Sequence, residues 1–183
     1  KGQHVAERVK SLYLYAQSLS LGGYASWMMQ RSQKSLQAIV DATSWLENRN
    51  RGLFVSLNHG WLEDTLVESE RWQQARRHAA RALLRSRKHD RLGEAMAYRA
   101  MARASASGHD RKPPEFYLAL AMRNALARGA RHEIAVTHLC DAEIRIACGE
   151  YAHVAELLNK AESLFEEMGM SWHIEATRRF RRQ

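Results

Sequence analysis

Proline is nearly missing from this chain: there are two in 183 residues, and they are adjacent, Pro113 and Pro114. Threonine and isoleucine are scarce and valine is modest, and these are the residues that feed strands. Ala, Leu, Arg, Glu and Gln, all good helix formers, are abundant. The longest uninterrupted apolar run, Phe116–Met122, is far short of the roughly 20 residues a membrane span needs. Lys1-Gly-Gln-His shows no apolar signal-peptide core. It also lacks an initiator methionine, which is read either as a piece cut from a longer protein or as an expression-tag scar. The two cysteines, Cys140 and Cys148, would lie about 12 Å apart along one helix, too far for a disulfide. They are expected to be reduced, small core residues, which suits the cytoplasm.

Motifs for chemistry are equally scarce. Gly22-Gly23 lacks the downstream Gly-Lys-Ser/Thr of a phosphate loop. Nine histidines are scattered without an i, i+4 pair or a CxxC. The nearest candidate, His138-Leu-Cys140, points its two ligands to opposite sides of a helix. No nucleophile-base motif occurs, and Glu63-Asp64 and Glu166-Glu167 diverge as adjacent helical residues. No catalytic, cofactor-binding or metal-binding residue is therefore expected.

What is present is helical apolar spacing. Tyr151, Val154, Ala155, Leu158, Ala161, Leu164, Phe165 and Met168 follow the i, i+3, i+4, i+7 rule, and Gly169 stands where a C-cap favours a left-handed residue. The same reading gives helices at about 4–20, ended by Gly22-Gly23, then 24–47, 53–69, 71–87, 91–106 with Asp90 as N-cap, 113–128, 131–148 and 150–168. A last helix runs from 172 into the tail. That makes an all-α chain of about nine helices and a single domain over 1–183. Its hairpins fall at about 4–47, 53–87, 91–128 and 131–168, with a capping helix at 172–183.

The helices repeat as pairs. Gly108 and Gly149 are 41 apart, Gly129 and Gly169 are 40 apart, and Ala82, Ala121 and Ala161 are spaced by 39 and 40. A two-helix period near 40 marks a helical solenoid, whose hairpins must stack to cover their apolar faces.

Gly149, Tyr151, Ala155, Ala161 and Phe165, with this period, resemble the tetratricopeptide repeat. The hairpin around Gly108, Phe116 and Ala121 matches loosely, with an inserted Lys112-Pro-Pro turn. In the hairpin around Glu70, Trp72, Ala75 and Ala82 the turn glycine has become glutamate. The hairpin at Gly22, Gly23 and Tyr24 is the least regular. The resemblance implies a right-handed superhelical stack of antiparallel hairpins that binds a protein or peptide segment. More narrowly, over about 58–177, the run Cys148–Trp172 with its Ala…Leu-Phe…Met-Gly-Met…Trp pattern is similar to the last repeats of bacterial multidomain signalling regulators. Those join a nucleotide-cyclase or LuxR-type DNA-binding module to an ATPase module and a tetratricopeptide region. This implies a sensory or scaffolding part of a longer protein, with another module of the same polypeptide as one candidate partner.

Phase counted from the turns places Asp64, Val67, Arg71, Tyr98, Ala102, Ser105, His109, Leu139, Glu143 and Ile146 along a peptide groove. Ala102, Glu143 and Ile146 do not supply the Asn, Lys and Arg of a carboxylate clamp, so none is expected. The net charge of +8 raises a second reading, nucleic-acid binding by the ridge Arg77, Arg81, Arg85 and Lys88, which share one helix face. Arg178-Arg179-Phe-Arg181-Arg182 is a second basic cluster, read as a frayed end. A third reading is a small-ligand sensor lined by Trp27, Trp45 and Trp61.

Overall fold

A computed structural model describes residues 6, 11–49, 54–87 and 90–181. Nine helices are described: α1 Leu12–Gln30, α2 Gln33–Asn48, α3 Val55–Glu68, α4 Trp72–Ser86, α5 Glu94–Ala106, α6 Pro114–Ala127, α7 Arg131–Ala147, α8 Val154–Glu167 and α9 Ser171–Phe180. No strand occurs among the described residues. Nor, among them, is any helix long and apolar enough to cross a membrane. Lys88, Arg182 and the start of the first expected helix lie outside the described residues.

The first hairpin differs from the expectation. Gly22 and Gly23 do not end a helix; α1 runs through both. The break falls nine residues later, where Arg31 takes a left-handed conformation (φ 48°) and Ser32 caps α2 by accepting the Ser35 amide at 3.2 Å. Ser11 caps α1 in the same way, accepting the Leu14 amide at 3.3 Å. The glycine pair serves packing instead. Gly23 lies against α2, where a methyl group would sit 3.0 Å from both the Ser35 carbonyl oxygen and Ile39 Cγ1.

Left-handed residues end the first helix of every pair: Arg31, Glu70 (φ 57°), Gly108 (φ 79°) and Gly149 (φ 75°) close α1, α3, α5 and α7. At the last three, the next amide reaches back five residues: Arg71 to the Leu66 carbonyl, His109 to Ala104 and Glu150 to Arg145, each at 2.8 Å. Those bonds satisfy carbonyls that a helix end otherwise orphans. The turn chemistry thus repeats at the period read from the sequence, with Glu70 holding a glycine's conformation.

The chain divides into two compact units, Lys1–Ala100 and Met101–Gln183, the boundary falling within α5. In the first unit α1 packs on α2 and α3 on α4, while α3 also meets α1 and α2. Ten of the fourteen α3 residues are buried, which makes α3 the centre of this unit. Trp27, Leu36, Ile39, Leu62, Leu66 and Val67 form its core. Asp90 does not cap the helix that follows it. Its carboxylate accepts from the amide and hydroxyl of Ser56 at 2.8 and 2.7 Å and so caps α3, whose own N-cap residue, Phe54, has no capping side chain. Gly93 passes so close that a methyl group there would lie 2.0 Å from the Ser56 carbonyl oxygen.

In the second unit α6, α7, α8 and α9 pack in succession. Leu139, Val154, Leu158, Ala161 and Phe165 make the core, joined by Ile174 and Phe180 of α9. The basic tail is less free than expected, because α9 is fastened to α8. Arg178 pairs with Glu162 at 2.6 Å and with Glu166 at 3.1 Å, and Arg181 pairs with Glu162 at 2.6 Å. Cys140 is buried, as a small core residue should be, but Cys148 is exposed at the end of α7.

Candidate interaction surfaces

First helices of neighbouring hairpins touch at residues one period apart. Asn58 Nδ2 donates to Gln17 Oε1 at 3.0 Å, Tyr24 Oη to Asp64 Oδ2 at 3.1 Å and Trp27 Nε1 to Glu68 Oε2 at 2.6 Å, over separations of 41, 40 and 41 residues. The partners ascend together along both helices, so α1 and α3 lie side by side and parallel. Tyr24 also stacks on Trp61, with ring centroids 5.8 Å apart. In the second unit Arg103 on α5 donates to Glu143 on α7 at 2.8 Å, 40 residues away. His132 on α7 and His173 on α9 bring their Nε2 atoms to 3.4 Å, 41 residues apart.

The expected groove residues divide by burial. In the first unit Val67 is 6% exposed and belongs to the core. Asp64 and Tyr98 are half-buried and Arg71 is exposed. In the second unit Ala102 is 0% and Leu139 7% exposed, whereas Ser105, Glu143 and Ile146 are half-buried and His109 is exposed. Val67, Ala102 and Leu139 therefore face the packed interior and present no side chain to a ligand. The phase counted from the turns was off by part of a helical turn at these three.

On α4, Arg77 and Arg81 are exposed and Arg85 is half-buried. Arg81 pairs with Glu47 at 3.3 Å, which takes one charge from that ridge. No tryptophan is among the lining residues of either cleft described below. Trp27 is in the core, Trp61 stacks on Tyr24, and the Arg49 guanidinium sits over the Trp45 ring at 4.3 Å. Two clefts are described. One, of about 580 Å³, runs between α1 and α2 past Ser18, Gly22, Ala25 and Ala38. The other, of about 400 Å³, is apolar and lies among Ile146, Tyr151, Val154, Leu158 and Phe180.

Beneath these surfaces are ionisable groups that the scattered sequence positions do not suggest. His59 is fully buried. One ring nitrogen lies 3.0 Å from a Glu47 oxygen and the other 3.1 Å from His78 Nδ1. Burial first, then the neighbouring His59 and Arg81 side chains, depresses His78 to about 4. The hydrogen bond from His59 holds Glu47 below the usual carboxylate range. His173 is likewise depressed to about 4, by burial and then by His132. On α3, Glu63 is fully buried with neither carboxylate oxygen hydrogen-bonded. Burial, reinforced by Asp64 and opposed by Arg99, pushes its carboxyl well above the usual range. Among the described residues no three His, Cys, Asp or Glu side chains gather closely enough to hold a metal ion. The spacing of 41 residues was a readable signal for the His132–His173 pair, whereas nothing in the sequence marks His59–His78.

No family model matches the chain, and no curated protein or solved structure matches it.

Proposed function

We propose that the chain is a non-catalytic protein-interaction domain in which each unit stacks its hairpins as a tetratricopeptide-like α-solenoid with a right-handed superhelical turn. The observation that carries this reading is the set of first-helix contacts at the repeat spacing, Gln17–Asn58, Tyr24–Asp64 and Trp27–Glu68 between the parallel α1 and α3 of one unit and Arg103–Glu143 in the other. Parallel first helices side by side offer a ridged surface with mixed polar and apolar side chains, suited to an extended or helical peptide. On that reading, Arg71 and Tyr98 in the first unit and His109 and Ile146 in the second are the residues a peptide meets. A regulatory role within a bacterial signalling protein, in the cytoplasm, is the setting implied by the sequence resemblance.

The test is selection of peptides from a random display library on the immobilised chain, followed by titration of the selected sequences. Arg71→Glu or His109→Glu should weaken a selected peptide at least tenfold while leaving the helical content unchanged. Failure to select any peptide, or affinities indifferent to both substitutions, sinks the reading.

One observation favours nucleic acid as a second reading: α4 carries Arg76, Arg77, Arg81 and Arg85 and no acidic residue. A labelled oligonucleotide should then bind with an affinity that falls steeply with salt and falls again in Arg77→Glu.

A further inference from the structure

α1 holds no charged residue over its 19 positions, in a chain whose net charge is +8. Its buried stripe, Ala16, Ser20, Gly23 and Trp27, faces the core. The opposite stripe, Leu14, Ser18, Leu21, Gly22, Ala25 and Met29, recurs at helical spacing and turns outward. Leu14 is 45% exposed, Leu21 54% and Met29 82%. Of the eleven exposed large apolar residues described, five lie on this helix, three of them (Leu14, Leu21 and Met29) on this stripe. Singly exposed apolar residues are ordinary, but a cluster on one uncharged face marks an interaction site.

The face carries two shapes. Its ridge is Leu14, Leu21 and Met29. Beside it runs the cleft of about 580 Å³ between α1 and α2, floored by small residues, Ser18, Gly22, Ser26 and Ala38. A methyl group on Gly22 would meet nothing within 4 Å, so the floor is open. Ridge and groove lie on the same patch. A two-fold axis would lay the ridge of one copy into the groove of another, as an isologous interface requires.

We propose that this face pairs two copies of the chain, α1 against α1. Charge favours this occupant. Two chains of net charge +8 repel over most of their surface, and α1 is a face they can join without opposing like charges. Among the described residues Lys34 is the one charged residue lining the cleft, and Arg31 is paired to Glu68 at 3.1 Å. The area sets the strength. A 19-residue helix is about 28 Å long. With α2 beside it at about 9 Å, the face offers about 500 Å² per copy, below the roughly 800 Å² per partner of a standard interface. The pair is therefore weak and reversible.

Sedimentation velocity of the full chain, from low to several hundred micromolar, tests the pairing. The expected result is a monomer–dimer equilibrium that is unchanged or strengthened by added salt. Leu21→Glu and Ala25→Glu change exposed residues and so leave the fold intact; each should weaken the dimer at least tenfold. Gly22→Leu, which fills the groove without adding charge, should do the same. A wild-type chain that stays monomeric throughout overturns the proposal. So does a dimer that survives all three substitutions or dissolves with salt, because its interface would lie elsewhere. A monomer whose peptide binding is lost in the same variants would overturn it too, assigning the face to a foreign helix.

Discussion

Gly22 and Gly23 are neighbours on one helix, yet alanine at each should move stability in opposite directions. Glycine inside a helix is less stable than alanine by about 0.5–1 kcal/mol, because the unfolded chain loses more freedom. At Gly22 a methyl group meets nothing within 4 Å, so Gly22→Ala should gain that amount, about 0.7 kcal/mol. At Gly23 the same gain meets a wall. The methyl group would lie 3.0 Å from the Ser35 carbonyl oxygen, 3.0 Å from Ile39 Cγ1 and 3.2 Å from Ala38 Cβ. The oxygen belongs to the backbone of α2, which cannot rotate away, so α1 and α2 must separate. Overpacking of this kind costs about 1–3 kcal/mol, leaving Gly23→Ala about 1 kcal/mol less stable than wild type. The two variants should differ by nearly 2 kcal/mol, or on the order of 10 °C in Tm for a unit of this size. Urea unfolding in dilute solution, where self-association is negligible, followed by tryptophan fluorescence, reads both. If Gly22-Gly23 formed a turn between helices, both substitutions would destabilise. That outcome, or a Gly23→Ala chain as stable as Gly22→Ala, would refute the continuous α1 and its close contact with α2.

The folded chain holds His78 and His173 at about 4, so between there and the usual 6.5 the unfolded chain binds more protons. Stability is then full above pH 6.5 and falls as pH drops towards 4, with a slope below about 1.4 kcal/mol per pH unit for each ring, because solvent screens both half-buried groups. Urea midpoints between pH 7 and 4 should decline, less steeply in His78→Gln, and an unchanged slope in that variant would exclude His78 as a source. Glu63 shifts the other way: its raised value means stability lost as pH rises. Glu63→Gln, measured by guanidinium unfolding at pH 7, should therefore raise the midpoint, and a lowered midpoint would show the carboxylate to be favourably paired. Glu70 occupies a left-handed position, so Glu70→Gly should gain about 1 kcal/mol and Gly149→Ala should lose about as much in thermal melts. Phe165 is fully buried in the second unit; Phe165→Ala should cost about 4 kcal/mol, and a loss under 1 kcal/mol would put that core in doubt.

The helices were legible because their apolar spacing is regular and most of their ends carry visible signals. Pro114 opens α6, and Gly108, Gly129, Gly149 and Gly169 take positive φ at or near the expected stops. The misreading at α1 has a physical origin. A glycine pair reads as a break because glycine weakens helices, but here the close approach to α2 outweighs propensity. The true turn sits on Arg31, a residue without turn character, and the signal missed was the Ser32 cap with its hydroxyl on the Ser35 amide. Asp90 was recognised as a cap but assigned to its own helix. Only the packing of α3 against the start of α5 brings it to Ser56, 34 residues away.

The candidate surface was less legible because burial on a helix turns on a fraction of a turn. Val67, Ala102 and Leu139 sit beside accessible positions in the sequence yet face inward. A better signal was already in the chain. If hairpins repeat at about 40 residues with parallel first helices, residues 40 or 41 apart on those helices must meet. Reading the sequence at that offset puts Tyr24 with Asp64, Trp27 with Glu68, Arg103 with Glu143 and His132 with His173, each a chemically sensible pair. The period therefore carries tertiary contacts as well as element boundaries. Residues with a partner at that offset are spent on stacking, and the side chains left for a ligand are those without one. Arg71 stands outside that set, in the turn between α3 and α4, as the N-cap residue of α4. Its exposure there makes it the first position at which peptide binding should be sought.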